Sequence, residues 1–334
     1  MPRRAPAGAP SVAAARPAST GRGQAEGRGQ AGRAKAPARA KGRGANGPYV
    51  APPEALRKLG VTPRKSLGQH FLIDELVLGD IADACAVGPA DTVLEIGAGP
   101  GGLTAELAKR AGRVVAVELD EELATLARRR TADVPGVCVL AADVLDFTPG
   151  ELLAECDAAG PYVAVGNLPY YITQPVVRRL LEADPGPTRI VILVQREVAR
   201  RMVGGTGRES LLSMSIKCYG TPAAVFDVPP SAFWPPPKVQ SALVRIERLP
   251  ENAAGLPRER LPRFFQLLRM GYTEPRKQLH NVLRVALGIP DAAMHPLLVA
   301  AGIGPEQRAQ HLQLADWRRL FDVLERGHPR ALDV

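Results

Sequence analysis

Asp91-Thr92-Val93-Leu94-Glu95-Ile96-Gly97-Ala98-Gly99-Pro100-Gly101-Gly102 is the stretch that decides the fold. Its first half is an apolar run that reads as a buried strand. The glycines that follow make a turn, and Leu103 to Ala111 has the spacing of a helix. Strand, glycine turn and helix together let a backbone approach a nucleoside closely. Dinucleotide enzymes share such loops, so the loop alone does not choose a ligand.

Outward from that turn, Val114-Val115-Ala116-Val117 reads as a second strand ending in Glu118, 21 residues after Gly97. A carboxylate there typically holds ribose hydroxyls. A third strand, Val137 to Ala141, ends beside Asp143, which is placed to hold an adenine amino group. Either acid alone reads equally well as a surface acid at a strand end. Two of them at successive strand ends behind a glycine loop favour a nucleoside cofactor.

A fourth strand, Tyr162-Val163-Ala164-Val165, leads into Asn167-Leu168-Pro169-Tyr170. Asn167 therefore sits at the carboxyl end of a strand, where open α/β sheets place ligands. Its side-chain carbonyl can accept a hydrogen bond from an exocyclic N–H. The residue before a proline is held extended, so the Leu168 carbonyl points in a fixed direction. Pro169 has no N–H to offer, and Tyr170 supplies a flat face for stacking a base. A plain turn would explain an isolated Asn-Leu-Pro fragment; behind the glycine loop and two spaced acids, an amine-binding site explains it better.

The chain has 334 residues, 46 % of them hydrophobic, enough for two domains with sizeable cores. Its net charge of +9 is carried by the N-terminus: residues 1–50 hold ten Arg or Lys and one acid, and the remainder is neutral. Residues 1–47 have almost no large apolar side chain and are expected to be a disordered, RNA-attracted tail. An organelle address or a start codon assigned too early are the other readings of that stretch. Cys85, Cys138, Cys156 and Cys218 lack metal-ligand or disulfide-framework spacing, so they are expected to be unpaired in a reducing cytoplasm. No apolar run reaches the length of a membrane span.

A short helix is expected from Pro52, then a polar loop, Lys65 to Leu72, and a helix from Asp74 to Ala86. Taken alone, His70 is a loop residue. Further strands are expected at Arg189–Gln195, Ser213–Tyr219, Ala223–Val228 and Ala242–Ile246, with a helix starting at Arg196. The basic edge of that helix reads equally as a solvated face. Prolines stiffen the loop carrying Phe233 and Trp234. From Leu249 the spacing turns helical, at Leu261–Met270, Arg276–Leu287, Pro296–Gly302 and Leu314–Arg326. The expected divisions are thus 1–47, 48–249 and 250–334.

Glu95-Ile96-Gly97-Ala98-Gly99, Glu118-Leu119-Asp120, Ala142-Asp143 and Asn167-Leu168-Pro169-Tyr170 resemble the ordered motifs of S-adenosylmethionine-dependent methyltransferases acting on amines. With Gly68-Gln69-His70-Phe71-Leu72 added, the chain is similar from about Pro52 to Val323 to the ribosomal RNA adenine N6,N6-dimethyltransferases, the KsgA and Erm group. The resemblance implies an α/β fold: a Rossmann-like class I methyltransferase sheet with a small C-terminal all-helical domain. It implies S-adenosylmethionine as cofactor, held by His70, Leu72, Gly97, Gly99, Glu118, Asp143 and Asn167. Catalysis would fall to Asn167, Leu168, Pro169 and Tyr170, with Phe233 against the target base. Lys238, Arg276 and Lys277 match basic positions of the family and are expected RNA contacts. Met270-Gly271-Tyr272 departs from the commoner family wording.

No metal-ligand cluster is visible in the sequence, so a metal-free reaction is expected, and the resemblance implies a cytoplasmic monomer acting on the RNA of the assembling 30S particle. The complete Lys65–Leu72 loop and a helical domain of about 85 residues favour the KsgA branch, which dimethylates two adjacent adenines of 16S rRNA. An Erm-type enzyme on large-subunit RNA is the nearest alternative. A non-catalytic assembly factor is another, opposed by intact Glu118, Asp143 and Asn167. A nicotinamide oxidoreductase would have no use for the Asn167–Tyr170 motif.

Overall fold

Apolar strands alternating with amphipathic helices dictate parallel pairing through right-handed crossovers, and the computed structural model of the chain follows that rule. It describes residues 63–64, 69–169 and 172–332, all within one compact unit, Tyr49–Val334. In chain order come β1 (Phe71–Leu72), α1 (Glu75–Ala84), β2 (Thr92–Ile96), α2 (Gly102–Ala108), β3 (Arg113–Glu118), α3 (Glu121–Arg130), β4 (Val137–Ala141) and α4 (Pro149–Glu155). Then follow β5 (Tyr162–Asn167), α5 (Thr173–Glu182), β6 (Arg189–Gln195), α6 (Arg196–Val203), α7 (Leu211–Tyr219), β7 (Gly220–Val228), β8 (Phe233–Trp234) and β9 (Ser241–Arg248). Helices α8 (Leu261–Gly271), α9 (Leu279–Ala286), α10 (Asp291–Ala300) and α11 (Leu314–Gly327) complete it. The expected tail 1–47, the short helix from Pro52 and the first half of the Lys65–Leu72 loop lie outside the described residues.

The main sheet has the order β4-β3-β2-β5-β6-β9-β7. β4 to β6 are parallel, and β9 and β7 are antiparallel additions. The chain steps outward from β2 to β4 and returns on the far side of β2 as β5, so the direction of winding reverses between β2 and β5. That reversal opens the crevice in which such sheets bind ligands.

Strand alternation sends Leu94, Ile96, Val115 and Val117 to one face, under α4, α5 and α6. It sends Val93, Val114, Ala116 and Val165 to the other, under α1 and α2. A third apolar core lies among α8 to α11.

Three expectations are corrected. Ser213–Tyr219 is not a strand but part of α7. Its apolar and polar residues alternate, which mimics a strand. The serines are instead satisfied inside the helix: Ser210 and Ser213 form a reciprocal cap, and the Ser215 hydroxyl donates to the Leu211 carbonyl at 2.8 Å. The helix is buried on two sides, Ile216 entering the sheet core and Met214 and Cys218 the helical one. Period 2 therefore arises from a helix sandwiched between two cores. Similarly, α9 begins at Leu279, leaving Arg276 and Lys277 in the preceding turn, and α10 begins at Asp291 with Pro296 inside it.

The third correction concerns cysteine. Cys138 of β4 and Cys156, just after α4, form a disulfide with Cα atoms 6.0 Å apart. Their separation of 18 residues carries no sequence signal. The β4–α4 crossover brings the residues together. Cys85 and Cys218 are unpaired and buried. At Gly271 a Cβ would lie 2.2 Å from the Trp317 ring, so glycine at this position is what lets Trp317 pack fully buried.

Candidate active site

One cavity opens at the carboxyl ends of β2, β3, β4 and β5. Its wall includes His70, Leu72, Gly97, Gly99, Glu118, Asp143, Asn167, Leu168, Pro169 and Phe233. Residues scattered over more than 160 positions are thus brought together. Tyr170 lies outside the described residues. Lys238, Arg276 and Lys277 are exposed and do not line the cavity; Lys277 pairs with Glu274 at 2.6 Å.

The glycine turn is held from both sides. Backbone N–H groups of Gly97 and Ala98 donate to the Val117 carbonyl at 2.8 and 3.2 Å. Gly99 has φ +54°, a conformation L side chains rarely adopt, and its N–H donates to Glu118 Oε2 at 2.8 Å. The other oxygen, Oε1, accepts from the Asp120 N–H at 3.0 Å. Glu118 is thus fixed by two backbone amides at the end of β3. Burial raises its pKa, and those amides work in the opposite direction. Asp143 is fixed likewise, accepting from the Leu145 N–H at 2.9 Å.

Across the crevice, Ile96 pairs in register with Gly166, which brings Asn167 beside the turn. A Cβ on Gly97 would stand 3.4 Å from the Asn167 carbonyl oxygen. The Asn167 amide nitrogen donates to the His70 carbonyl at 3.2 Å. That bond decides the amide's orientation, because only the NH₂ side can donate. The side-chain oxygen, the acceptor an amine needs, is therefore on the opposite side. Leu168 is anchored in the core, and the Pro169 carbonyl accepts from the Ile172 N–H and the Thr173 hydroxyl, starting α5.

A strap closes the cavity. β1 pairs antiparallel with β8, Phe71 opposite Trp234 and Leu72 opposite Phe233. The Phe71 and Trp234 rings stack with centroids 6.4 Å apart. His70 Nδ1 lies 2.7 Å from the Pro235 carbonyl and donates to it. One short segment, residues 70–72, thereby ties the Phe233 loop to Asn167. Phe233 is only 4 % exposed and belongs to the core under α1 as well as to the cavity wall.

Glu95 is a further site residue, whose signal in the sequence is a carboxylate inside an apolar strand. It lines the same cavity, is 1 % exposed, and neither of its oxygens has a hydrogen-bond partner among the described residues. Burial pushes its pKa up to about 8. Among the described residues no group of three or more His, Cys, Asp or Glu is arranged to hold a metal ion.

The chain is similar to known proteins. The profile of the ribosomal RNA adenine dimethylase family matches residues 60–326. Ribosomal RNA small subunit methyltransferase A from Dehalococcoides mccartyi is 44 % identical over 257 residues, covering 77 % of this chain and 87 % of that protein. The protein of the same name from Anaeromyxobacter sp. strain K is 38 % identical over 285 residues, covering 83 % and 98 %. Among solved structures, the 23S rRNA methyltransferase ErmE aligns with a TM-score of 0.61 at 31 % identity, covering 76 % of this chain and 99 % of that one. A dimethyladenosine transferase from Plasmodium falciparum shares the fold, with a TM-score of 0.63 at 23 % identity over 77 % of this chain and 98 % of that one. The chain belongs to the ribosomal RNA adenine dimethylase family.

Proposed function

We propose that this chain transfers methyl groups from S-adenosylmethionine to N6 of two adjacent adenines in small-subunit ribosomal RNA. One juxtaposition carries the reading. Asn167, its amide oriented by His70, stands beside the Gly97 turn, with Glu118 and Asp143 at the next two strand ends. These residues fit a nucleoside donor. Each Glu118 oxygen accepts one backbone N–H and keeps capacity for a ribose hydroxyl. Asp143 offers an acceptor for an adenine amine, and Gly97 and Gly99 leave room for close approach. When bound, the donor supplies an electrophilic methyl group on a cationic sulfur.

The chain's own residues supply geometry. Adenine N6 is a poor nucleophile because its lone pair is delocalised into the ring. The Asn167 side-chain oxygen and the Leu168 carbonyl accept its two N–H bonds and turn the lone pair toward the methyl group, which is catalysis by positioning. Positive charge developing on the nitrogen faces two carbonyl dipoles. The methylated nitrogen then loses its proton to solvent without a strong base. Tyr170 and the Phe233 wall flank an adenine drawn out of its stack, at about 1–3 kcal/mol per stacked base.

The helical region 250–334, with Arg276, Lys277 and Lys238, grips RNA by shape and phosphate charge. The basic residues of 1–47 add sequence-independent attraction. The chain works as a cytoplasmic monomer on the assembling small subunit. Among the described residues no single helix is long and apolar enough to cross a membrane.

Mass spectrometry of ribosomal RNA from a strain lacking the gene tests the proposal. Loss of N6,N6-dimethyladenine from two neighbouring small-subunit positions is expected. Loss from large-subunit RNA alone would favour the Erm-type activity suggested by the likeness to ErmE. No loss, with donor binding retained, would indicate a non-catalytic assembly factor.

A further inference from the structure

Glu95 lies on the face of β2 that carries Val93, so it looks toward α1 and α2. A fully buried carboxyl group without a hydrogen bond is rare and costly. The Thr104 hydroxyl of α2 is also buried without a closed hydrogen bond, although it is near enough to favour the ionised carboxylate. The other titratable groups facing Glu95 are Glu118, from the end of β3, and Cys85, from the end of α1. Glu118 disfavours a second negative charge, and the Cys85 thiol, pushed up to about 12 by burial, is neutral. No cation is among the groups acting on Glu95. An acid in this position is held neutral by burial, and it borders the cavity that the proposed cationic donor enters.

We infer that Glu95 is a proton-exchanging positioning residue: neutral before the donor enters, it ionises against the donor's cationic sulfur, so that donor binding expels a proton and binding of the demethylated product does not. The inference rests on the donor reading given above. The O–H bond of Glu95 breaks, its electron pair stays on the carboxylate, and the proton goes to solvent. Once the methyl group has left, the sulfur is a neutral thioether and the positive charge has moved to the adenine nitrogen, which gives up its own proton. Glu95 then regains a proton from solvent. Donor and product carry the same amino-acid ammonium and carboxylate, so the contrast between them isolates the sulfur's charge. Glu95 in this way favours the loaded donor over the spent one.

Calorimetry on the full chain decides it, using S-adenosylmethionine and S-adenosylhomocysteine at pH 7 in buffers of different ionisation enthalpy. The expected result is release of close to one proton per donor bound and none per product. Donor affinity should rise about tenfold per pH unit below pH 8 and level off above it, while product affinity stays flat. Glu95→Gln, which keeps the shape of the side chain, should abolish both the release and the slope. Donor binding without proton release, equal release with both ligands, or release that persists in Glu95→Gln would each overturn the inference and leave the donor reading standing. Failure of either ligand to bind would overturn the donor reading, and the inference with it. Should Glu95→Gln not fold, proton counting on the unmodified chain still decides between donor and product.

Discussion

The strand ends around β2 and the helical layer of α8 to α11 use charge in opposite ways. Around the strand ends, carboxylates are buried or half-buried, and all but one are bound to backbone. Glu118 holds the Gly99 and Asp120 amides, Asp143 holds that of Leu145, and Glu95 holds nothing. In the helical layer, charge meets charge near the surface. Glu325 takes both Arg260 and Arg263, Asp316 takes Arg319, and Glu274 takes Lys277. An exposed pair such as Lys277–Glu274 contributes roughly 0–1 kcal/mol, and a phosphate can replace its acid cheaply. The first region is specified by which residue stands where, the second by its net field and shape. Single substitutions should therefore act strongly in the first and weakly in the second.

The largest expected effect is at Asn167. Asn167→Ala should lower the rate of methyl transfer about 10²–10³-fold, the usual magnitude for removing one dipole aimed at developing charge. Donor affinity should change little. A rate loss matched by an equal loss of donor binding would mean that Asn167 serves the donor and not the amine. Next comes Glu118→Ala, expected to weaken donor binding about 10–100-fold, or roughly 1.4–2.8 kcal/mol, because it removes the ribose acceptor and frees two backbone amides. Unchanged affinity by calorimetry would remove Glu118 from the donor site.

A third effect concerns stability and has a definite sign. The Glu95 pKa is raised from an ordinary 4.5 to about 8 in the folded chain. Between those values the folded form keeps a proton that the unfolded form has lost, so stability falls as pH rises from about 5 to 8 and is flat above. Glu95→Gln lacks this loss. It should exceed the unmodified chain by about 3–4 kcal/mol at pH 8 and converge with it near pH 5, as read from denaturant melts without ligand. A difference between the variant and the unmodified chain that is the same at both pH values would mean that Glu95 is already ionised.

The smallest effects belong to the helical layer. Arg276→Ala should weaken RNA binding severalfold and reduce the salt slope by about 1. Lys277→Ala should do less, because Glu274 already neutralises that charge. A hundredfold effect at either position would blur the contrast between the two regions.

That contrast also sets what could be read from the sequence. Gly97, Gly99, Glu118, Asp143 and Asn167 are recognisable because a local backbone rule fixes each at a strand end, and all five meet in one cavity. Helix α7 was misread because its alternating residues face two cores, a tertiary fact that no local period encodes. The Cys138–Cys156 bond was missed for the same reason, since only the β4–α4 crossover makes the two neighbours. The orientation of the Asn167 amide depends on the His70 carbonyl, 97 residues away. What sets Glu95 apart within its strand is tertiary: full burial with no closed hydrogen bond among the described residues.

The pairing of residues 70–72 with residues 233–235 has a consequence in time. His70 and Pro235 are 165 positions apart. A chain that emerges at about 5–20 residues per second needs roughly 10–30 s between making one side of that wall and the other. Throughout that interval β2, β3, β4 and β5 are available to pair with one another, since they precede β6. A nascent chain can therefore own most of its central sheet while the donor site still lacks its strap. Arrested before Phe233, it should not retain donor; arrested after Arg248, with β9 exposed, it should. Competence to modify a ribosome then arrives only in the closing third of the protein's own translation.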